Sequence, residues 1–342
     1  MFRYSLAAIA AAAAMLVAPI DASAQQTLAQ VKARGSLNCQ VGLPTPGFYA
    51  LSAAGVWSGM DVDMCRAVAA AIFDDPAKVQ YQSVTSAVRF TALANGESDM
   101  LSRTTTWTAV RDTQLGLEFA GVNFYDGQGF LVSKASGITS ARGLDGATIC
   151  VLTGTTTELN LADYFRANRM TFTPVTNENV NVLVETYLGG GCDAYTNDKS
   201  SLAARRSAFP SPNDYVILPE TISKEPLGPV VRHGDNNWGD IVRWVLFGMI
   251  EAEEMGVSSA NVTEMLASPS PGIRRLLGNE GNIGEGMGLP KDFMVRVLRH
   301  LGNYGEVYER NVGVNTAVGI PRAGSLNALW NNGGILYPMP FR

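Results

Sequence analysis

The sequence has few histidines, a residue common in acid–base catalysis and in zinc sites. Its 342 residues include two histidines, His233 and His300, which lie far from the four cysteines, and no C-x-x-C motif occurs. The motifs G-x-S-x-G and H-E-x-x-H are also absent. Zinc sites in proteins are built mainly from cysteine and histidine. We therefore expect neither a bound metal nor a cofactor.

Positive charge and long apolar runs are also scarce. The formal net charge is −5, and no run of basic residues is longer than two. A protein that binds nucleic acid needs a basic face against the phosphates, so we expect no nucleic-acid partner. Beyond the N-terminus no apolar stretch reaches the length of about 18 residues that a membrane-spanning helix requires.

The N-terminus has the pattern of a secretory signal peptide. An arginine near the start precedes an alanine-rich apolar run from Leu6 to Ile20, and Ala22-Ser23-Ala24 forms a small-x-small cleavage pattern. A membrane anchor is the alternative, but the apolar run is short for a span. We therefore predict that residues 1–24 are a signal peptide and that the mature protein is exported.

An even number of cysteines in an exported protein indicates disulfide bonds. Cys39, Cys65, Cys150 and Cys192 allow three pairings. Grouping along the chain favours Cys39–Cys65 and Cys150–Cys192, each of which would close a loop within one half of the chain. Each bridge could stabilise the fold by about 3 kcal/mol.

The order of the predicted elements indicates two α/β lobes. The first series consists of strands at 35–43 and 78–84, helices at 60–73 and 86–96, the latter with Ser86 as its N-cap, and a short strand at "DMLSR". The same rhythm restarts with a strand at 127–134 and runs to a strand at 214–219. Alternating strands and helices of this kind predict mostly parallel sheets flanked by helices. The remainder is predicted to contain helices at 237–256, 260–277 and 290–302.

Four motifs occur in a specific order: "GVWSGMDVDMCRAVAAAIF", "TALANGESDMLSRTTTWTAVRD", "GTTTELNLADYF" and "GGCDAYTNDKSSL". Together they resemble the periplasmic solute-binding proteins of polar amino-acid ABC transporters. The resemblance is strongest to the general L-amino-acid-binding subfamily of Gram-negative bacteria. It covers essentially the whole mature chain.

The resemblance implies an α/β fold of the two-lobed periplasmic binding protein type (type II), with two crossing strands as the hinge. Lobe one would comprise residues 26–127 and 233–342, and lobe two residues 128–232. The crossings would fall near "YDGQG" and "PLGPVV", where glycines suit a hinge rotation. Extra helices between about 256 and 300 distinguish the chain from shorter members.

The stretch "SRTTTWTAVRD" combines short hydroxyl side chains with one guanidinium. Arg111 can bind a carboxylate through two parallel hydrogen bonds, and threonine side chains are stiff. In the family the arginine and the residues five and seven before it contact the ligand, which implies ligand contacts for Arg111, Thr106 and Thr104. From the residues alone, an ion pair of Arg111 with Asp112 or Glu118 is an equal alternative.

The second lobe would supply the opposing contacts. "TGTTTE" lies where a strand enters a helix, a position that attracts anions, and the resemblance implies that Thr155 and Thr156 face the ligand. Thr155 also suits a helix cap. The resemblance assigns the ligand ammonium to Asp198 and a structural role to Asp193; the opposite assignment stays open.

The ligand side chain is expected to meet aromatic residues of the loop at 48–57. Phe48 is the predicted contact, with core packing as its alternative, and Trp107 is as consistent with a cleft wall as with the core. No dedicated charge is predicted in the side-chain space. Together with the resemblance, this implies broad acceptance of L-amino acids.

The predicted function is transport. The protein, expected to be a periplasmic monomer, would capture an L-amino acid by closing its cleft and deliver it to the membrane permease subunits of an ABC transporter. Two alternatives share the fold: a periplasmic dehydratase and a ligand-sensing module. With only two histidines available for acid–base chemistry, we expect no enzymatic activity.

Overall fold

The computed structural model describes residues 26–342. The predicted signal peptide at 1–24 lies outside the described residues. Within them, none of the helices combines the length and the apolar character that crossing a bilayer would take.

Strands and helices alternate along most of the chain. The strands are β1 (Leu37–Val41), β2 (Ala50–Leu51), β3 (Trp57–Ser58), β4 (Val79–Ser83), β5 (Met100–Leu101), β6 (Leu117–Phe119), β7 (Phe124–Asp126), β8 (Gln128–Ser133), β9 (Thr148–Leu152), β10 (Thr173–Asn177), β11 (Ala194–Asp198), β12 (Tyr215–Ile217), β13 (Glu225–Leu227) and β14 (Val230–Arg232). The helices are α1 (Gln26–Arg34), α2 (Met60–Phe73), α3 (Arg89–Ala94), α4 (Ala109–Gln114), α5 (Thr156–Ala167), α6 (Val180–Leu188), α7 (Lys199–Ser207), α8 (Asn236–Glu254), α9 (Val262–Met265), α10 (Pro271–Leu276), α11 (Ile283–Gly286), α12 (Phe293–Leu301) and α13 (Tyr304–Asn311).

The two main sheets define two lobes. In lobe one the strand order is β4-β1-β5-β14-β6, and in lobe two it is β10-β9-β11-β8-β12. In each sheet four strands run in one direction and one runs against them, β14 in lobe one and β8 in lobe two. The reversed strand is the one that enters from the connection between the lobes. The predicted mostly parallel α/β architecture is therefore confirmed.

Two antiparallel strands, β7 and β13, connect the lobes, with Asp126 opposite Glu225 and Phe124 opposite Leu227. The predicted pair of crossing strands is present. The predicted extension of lobe two to residue 232 is wrong, because Val230–Arg232 pairs with β5 and β6 in the sheet of lobe one.

Helix α2 has the predicted bounds and is buried on nearly every side. It is rich in alanine, and Asp61 and Asp63 lie in its first turn, where carboxylates favour the helix dipole. Asp74 ends it in the left-handed conformation, with φ 57°. The helix packs between its own sheet and the C-terminal helices α8 and α12. This arrangement forms the main core of lobe one.

The region 256–300 contains four short helices, α9 to α12, where two longer ones were predicted. Proline and glycine residues interrupt the helical pattern there, as at Pro271 and Gly278. Helix α12 has one strongly apolar face, including Val297 and Leu298, which is buried against α2 and α8. These helices therefore enlarge the core of lobe one on the side of the sheet that α2 covers.

Both predicted disulfide bonds are present. Cys39 of β1 is bonded to Cys65 of α2, with their Cα atoms 6.3 Å apart, and Cys150 of β9 is bonded to Cys192, with Cα atoms 5.6 Å apart. The first bridge ties a strand to its covering helix, and the second ties a strand to the entrance of β11.

Candidate ligand-binding site

A cavity lies between the lobes, at the carboxyl ends of strands from both sheets. The loops after β1, β4 and β5 face the loops after β9, β10 and β11. Their lining atoms surround about 600 Å³ of space, part of it open to solvent. Ligands of open α/β sheets bind at this end of the strands, so the cavity is the candidate binding site.

The two lobes contact each other around this cavity. The guanidinium of Arg205 in lobe two donates to Thr45 Oγ1 in lobe one. The hydroxyl oxygens of Thr106 and Thr156, from lobes one and two, lie 3.4 Å apart. Gly154 approaches Ala87 so closely that an added Cβ would lie 3.2 Å from Ala87 Cα. The structure therefore shows the closed arrangement of the lobes.

Arg111 lies on the lobe-one side of the cavity with 8% of its surface exposed. It belongs to the first turn of α4, which begins after the cap Thr108, and its Nη1 donates to the carbonyl of Thr106 at 2.9 Å. Burial lowers the pKa of Arg111 to about 10, so the side chain stays charged at neutral pH. Glu118 pairs instead with Arg243, which removes one of the two ion-pair alternatives.

Asp198 lies on the opposite side, at the end of β11, and is 6% exposed. Its Oδ1 is buried and has no hydrogen-bond partner within the described residues. Burial, then repulsion from Asp126 and Glu225, raises the pKa of Asp198 well above its usual range, although Arg111 opposes this. Asp126 accepts from Ser200 N at 3.1 Å at the start of α7, so the side chain of Asp198 is not needed as the helix cap.

Asp193 does not belong to the lining of the cavity. Its carboxylate accepts from Thr148 N at 2.7 Å and from Thr148 Oγ1 at 2.6 Å, at the other end of the sheet. These contacts give Asp193 the structural position that was expected for it, and Asp198 is the aspartate that faces the cavity.

Thr106 and Thr156 both donate to one oxygen of Glu225, a residue of the crossing strand β13. The distances to Glu225 Oε2 are 2.6 Å from Thr106 Oγ1 and 2.9 Å from Thr156 Oγ1. Because each hydroxyl has a single proton, both oxygens face the cavity only as acceptors. The sequence did not single out Glu225, which is 1% exposed.

The other two predicted threonines also line the cavity. Thr104 has a positive φ of 44°, and its backbone N–H donates to Asp61 Oδ2 at 3.0 Å. Thr155 caps α5 by accepting from Glu158 N at 3.2 Å, while its hydroxyl donates to the carbonyl of Leu152 at 2.6 Å. For Thr155, capping and a place in the cavity wall therefore coexist.

Phe48 does not line the cavity, and core packing, the alternative to its predicted ligand contact, is the arrangement that the structure shows. The side chain is 1% exposed and packs edge-on against Phe124 in the core of lobe one, at 5.6 Å between ring centres. The neighbouring Tyr49 lines the cavity instead, and its hydroxyl lies 3.1 Å from Thr104 Oγ1. Trp107 is partly exposed, stacks on Phe119 and lies outside the lining.

The cavity carries more positive charge than the sequence analysis singled out. Arg89, Arg103 and Arg205 line the cavity in addition to Arg111. Ser86, which was predicted to cap α3, lies before a helix that begins at Arg89 and instead accepts from Arg103. The signal that could have revealed these arginines is their position, since Arg89 and Arg103 both follow the carboxyl ends of strands.

Comparison with known proteins places the chain in one family. The profile of the bacterial extracellular solute-binding proteins, family 3, matches residues 39–260. The chain is 54% identical over 332 residues to the glutamate/glutamine/aspartate/asparagine-binding protein BztA of Rhodobacter capsulatus, covering 97% of each chain. It is 50% identical over 342 residues to the general L-amino acid-binding periplasmic protein AapJ of Rhizobium johnstonii, covering 99% of this chain and 100% of the relative.

Solved structures agree with this placement. An ABC transporter periplasmic binding protein from Brucella ovis with glutathione bound is 52% identical, with a TM-score of 0.90 over 92% of this chain and 99% of that one. A cysteine-binding protein from Campylobacter jejuni shares the fold at 23% identity, with a TM-score of 0.59 over 67% of this chain and 89% of the other. The fold is thus that of the type II periplasmic binding proteins, as predicted. The chain belongs to the bacterial extracellular solute-binding proteins of family 3.

Proposed function

We propose that the protein binds L-amino acids in the cavity between its lobes. Arg111 holds the α-carboxylate through its guanidinium, and Asp198 holds the α-ammonium through its carboxylate. The observation that carries this proposal is that a positive and a negative side chain line the same cavity. They come from opposite lobes, they are both buried, and neither has an ion-pair partner within residues 26–342.

The threonines complete the ammonium site. The hydroxyl oxygens of Thr106 and Thr156 present lone pairs to the cavity because their protons are donated to Glu225. An ammonium group has three donors and no acceptor, so Asp198 and two acceptor hydroxyls match it. Thr104 and Thr155 form the adjoining wall and fix the local backbone.

Ligand binding then favours the closed arrangement. A ligand shifts an open–closed equilibrium only by its difference in affinity for the two states. An amino acid held at one end by lobe one and at the other by lobe two has its full set of contacts only when the lobes meet. The closed protein delivers its ligand to the membrane permease subunits of an ABC transporter, in the periplasm and as a monomer.

The relatives support transport over the alternatives. Their names describe amino-acid-binding proteins, one of them periplasmic, and do not describe enzymes. The solved relative from Brucella ovis holds glutathione, which also carries an α-carboxylate and an α-ammonium on one carbon. Arg111 and Asp198 would therefore also bind the α-carboxylate and α-ammonium of ligands larger than a free amino acid.

The test is calorimetry of the mature protein with a panel of the twenty amino acids and glutathione. Arg111→Ala should remove measurable binding of every ligand, because it removes a charge-assisted contact to the carboxylate that all of them share. Arg166→Ala, at a side chain that is 80% exposed on lobe two, is the matched control and should bind as the wild type does. Affinity close to the wild-type value in a folded Arg111→Ala variant would contradict the proposal.

A further inference from the structure

Two arginines of lobe one lie deep in the cavity and are not needed for the α-carboxylate or the α-ammonium. Arg89 is 3% exposed and Arg103 is 7% exposed. Both donate to Ser86: Arg89 Nη1 to its carbonyl at 3.0 Å, and Arg103 Nη1 to its hydroxyl at 3.2 Å. Ser86 therefore holds two guanidinium groups side by side.

Each of these guanidinium groups keeps an unused donor. The Nε atoms of Arg89 and Arg103 are buried and have no hydrogen-bond acceptor in the described part of the chain. Neither side chain forms an ion pair there. Burial, followed by repulsion from Arg103 and Arg111, holds the pKa of Arg89 well below its usual range. A buried cation without a partner is costly, so the pair is complementary to an anion.

The pair lies next to the proposed α-carboxylate site. The guanidinium carbons of Arg89 and Arg111 are 4.4 and 5.1 Å from the centre of the same Phe90 ring. Arg89, Arg103 and Arg111 also line the same cavity, so a group that extends from the α-carbon of a ligand held by Arg111 can extend toward Arg89 and its neighbour.

Acidic residues of the cavity do not neutralise the pair. Among the residues lining the cavity, only Asp198 and Glu178 are acidic, and both belong to lobe two. Asp198 is assigned to the ligand ammonium, and Glu178 is exposed to solvent, which screens its charge. The buried lobe-one wall therefore carries an excess of positive charge.

We propose that Arg89 and Arg103 form a subsite for a second carboxylate, so that the protein prefers amino acids with an acidic side chain over the corresponding amides. This inference rests on the proposed function, since Arg111 and Asp198 must hold the α groups for the side chain to reach the subsite. It replaces the expectation that no dedicated charge faces the side chain of the ligand.

Isosteric ligand pairs test the subsite without any substitution. L-glutamate and L-glutamine, and L-aspartate and L-asparagine, differ by one charge at nearly constant shape. We expect calorimetry of the wild-type protein to show each acid binding at least about tenfold more tightly than its amide, because the guanidinium contacts to an anion are charge-assisted. Equal binding, or tighter binding of the amides, overturns the inference.

Variants then assign the preference to the two side chains. Arg89→Gln and Arg103→Gln should each weaken glutamate binding far more than glutamine binding, so that the ratio of the two affinities falls by about tenfold. Arg166→Gln makes the same change of net charge at an exposed site of lobe two and should preserve the ratio. Equal losses for glutamate and glutamine in folded variants would show a general rather than a side-chain role and would overturn the inference.

The two proposals fail in different ways. If no amino acid binds to the wild-type protein, the proposed function itself is wrong. If neutral amino acids bind tightly and each acid binds no more tightly than its amide, only the proposed subsite is contradicted. Should either variant fail to fold, the comparison of each acid with its amide on the wild-type protein decides whether the subsite exists.

Discussion

Thr106 and Thr156, from opposite lobes, have hydroxyl oxygens 3.4 Å apart. They do not donate to each other, because both donate to Glu225 on the crossing strand β13. Glu225 also accepts from Asn160 Nδ2 at 2.7 Å and from Ser223 Oγ at 2.6 Å. One carboxylate on the hinge thus joins the two lobes in the closed arrangement.

Replacing this carboxylate should weaken closure. In Glu225→Gln an amide NH₂ replaces one of the two acceptor oxygens, so the two groups that donate to that oxygen lose their acceptor and the other two lose their charge assistance. We expect amino-acid affinity to fall by about tenfold in calorimetry. In solution scattering, the ligand-bound variant should contain a larger share of open molecules than the wild type.

Glu185→Gln is the matched control for that change of charge, since Glu185 is exposed on α6 of lobe two. It should leave both affinity and scattering unchanged. A Glu225→Gln variant with wild-type affinity and a fully closed ligand complex would show that Glu225 does not hold the lobes together.

Binding should weaken as the pH falls. The pKa of Asp198 is raised by burial, then by Asp126 and Glu225, while Arg111 and Arg89 act in the opposite direction. Burial also raises the pKa of Asp126 to about 6. The ligand ammonium needs ionised Asp198, and the ionised fraction decreases as the pH drops through a raised pKa. Binding therefore releases protons at acidic pH, and the dissociation constant should rise by up to about tenfold per pH unit there.

Calorimetry between about pH 5 and about pH 8, in buffers with different heats of ionisation, measures this proton release. Asp198→Asn should bind weakly at every pH and show a flatter profile. A wild-type affinity that is constant over this range, or an unchanged profile in Asp198→Asn, would rule out Asp198 as the titrating group.

A methyl group at Gly154 should obstruct closure. Gly154 has φ +75°, and its added Cβ would lie 3.2 Å from the Cα of Ala87 across the cleft. Gly146, also in lobe two, has φ +79° and open space around its added Cβ. Both alanine variants should lose about 1 kcal/mol of unfolding free energy because of the backbone conformation. Only Gly154→Ala should also lose affinity, by several-fold, and Gly154→Val should lose more.

Denaturant unfolding and calorimetry on the two variants separate these effects. Equal affinities of Gly154→Ala and Gly146→Ala would show that the cleft tolerates the methyl group, in conflict with the close approach to Ala87.

Asn327 of the C-terminal segment should stabilise the hinge. Its side chain accepts from Tyr125 N at 2.7 Å and donates to the carbonyl of Tyr125 at 2.9 Å, so it pairs with β7 as a neighbouring strand would. Asn327→Ala leaves both backbone groups without this partner and should lower the free energy of unfolding by about 1–3 kcal/mol. Asn331→Ala, at an exposed position nearby, should change it little. Equal stability of the two variants in denaturant unfolding would contradict this role.

The sequence predicts the elements of this fold better than the details of its cavity. Helix α2 could be delimited because Asp61 and Phe73 bound a continuous helical pattern. Arg111 and Asp198 were found because the resemblance fixes their positions relative to "TTTWTAVRD" and "CDAYTND". The other residues that line the cavity lie mostly in irregular loops. Which of their side chains turn inward could not be predicted, because loops lack the periodicity that reveals a buried face.

Phe48 and Tyr49 illustrate this limit. They are adjacent in an irregular segment between β1 and β2, and one turns toward the core while the other turns toward the cavity. Arg89 illustrates another: it lies within the predicted helix at 86–96, yet its side chain is buried and lines the cavity. Glu225 acquires its partners from three separate segments of the chain, which no local pattern can bring together.

Both disulfide bonds close within a single lobe, and all four cysteines of the sequence are used. The covalent cross-links therefore stiffen each half without restraining the angle between the halves. A reductant would therefore loosen each lobe internally. In an oxidising compartment both lobes stay cross-linked, and the cleft between them remains free to open and close in every transport cycle.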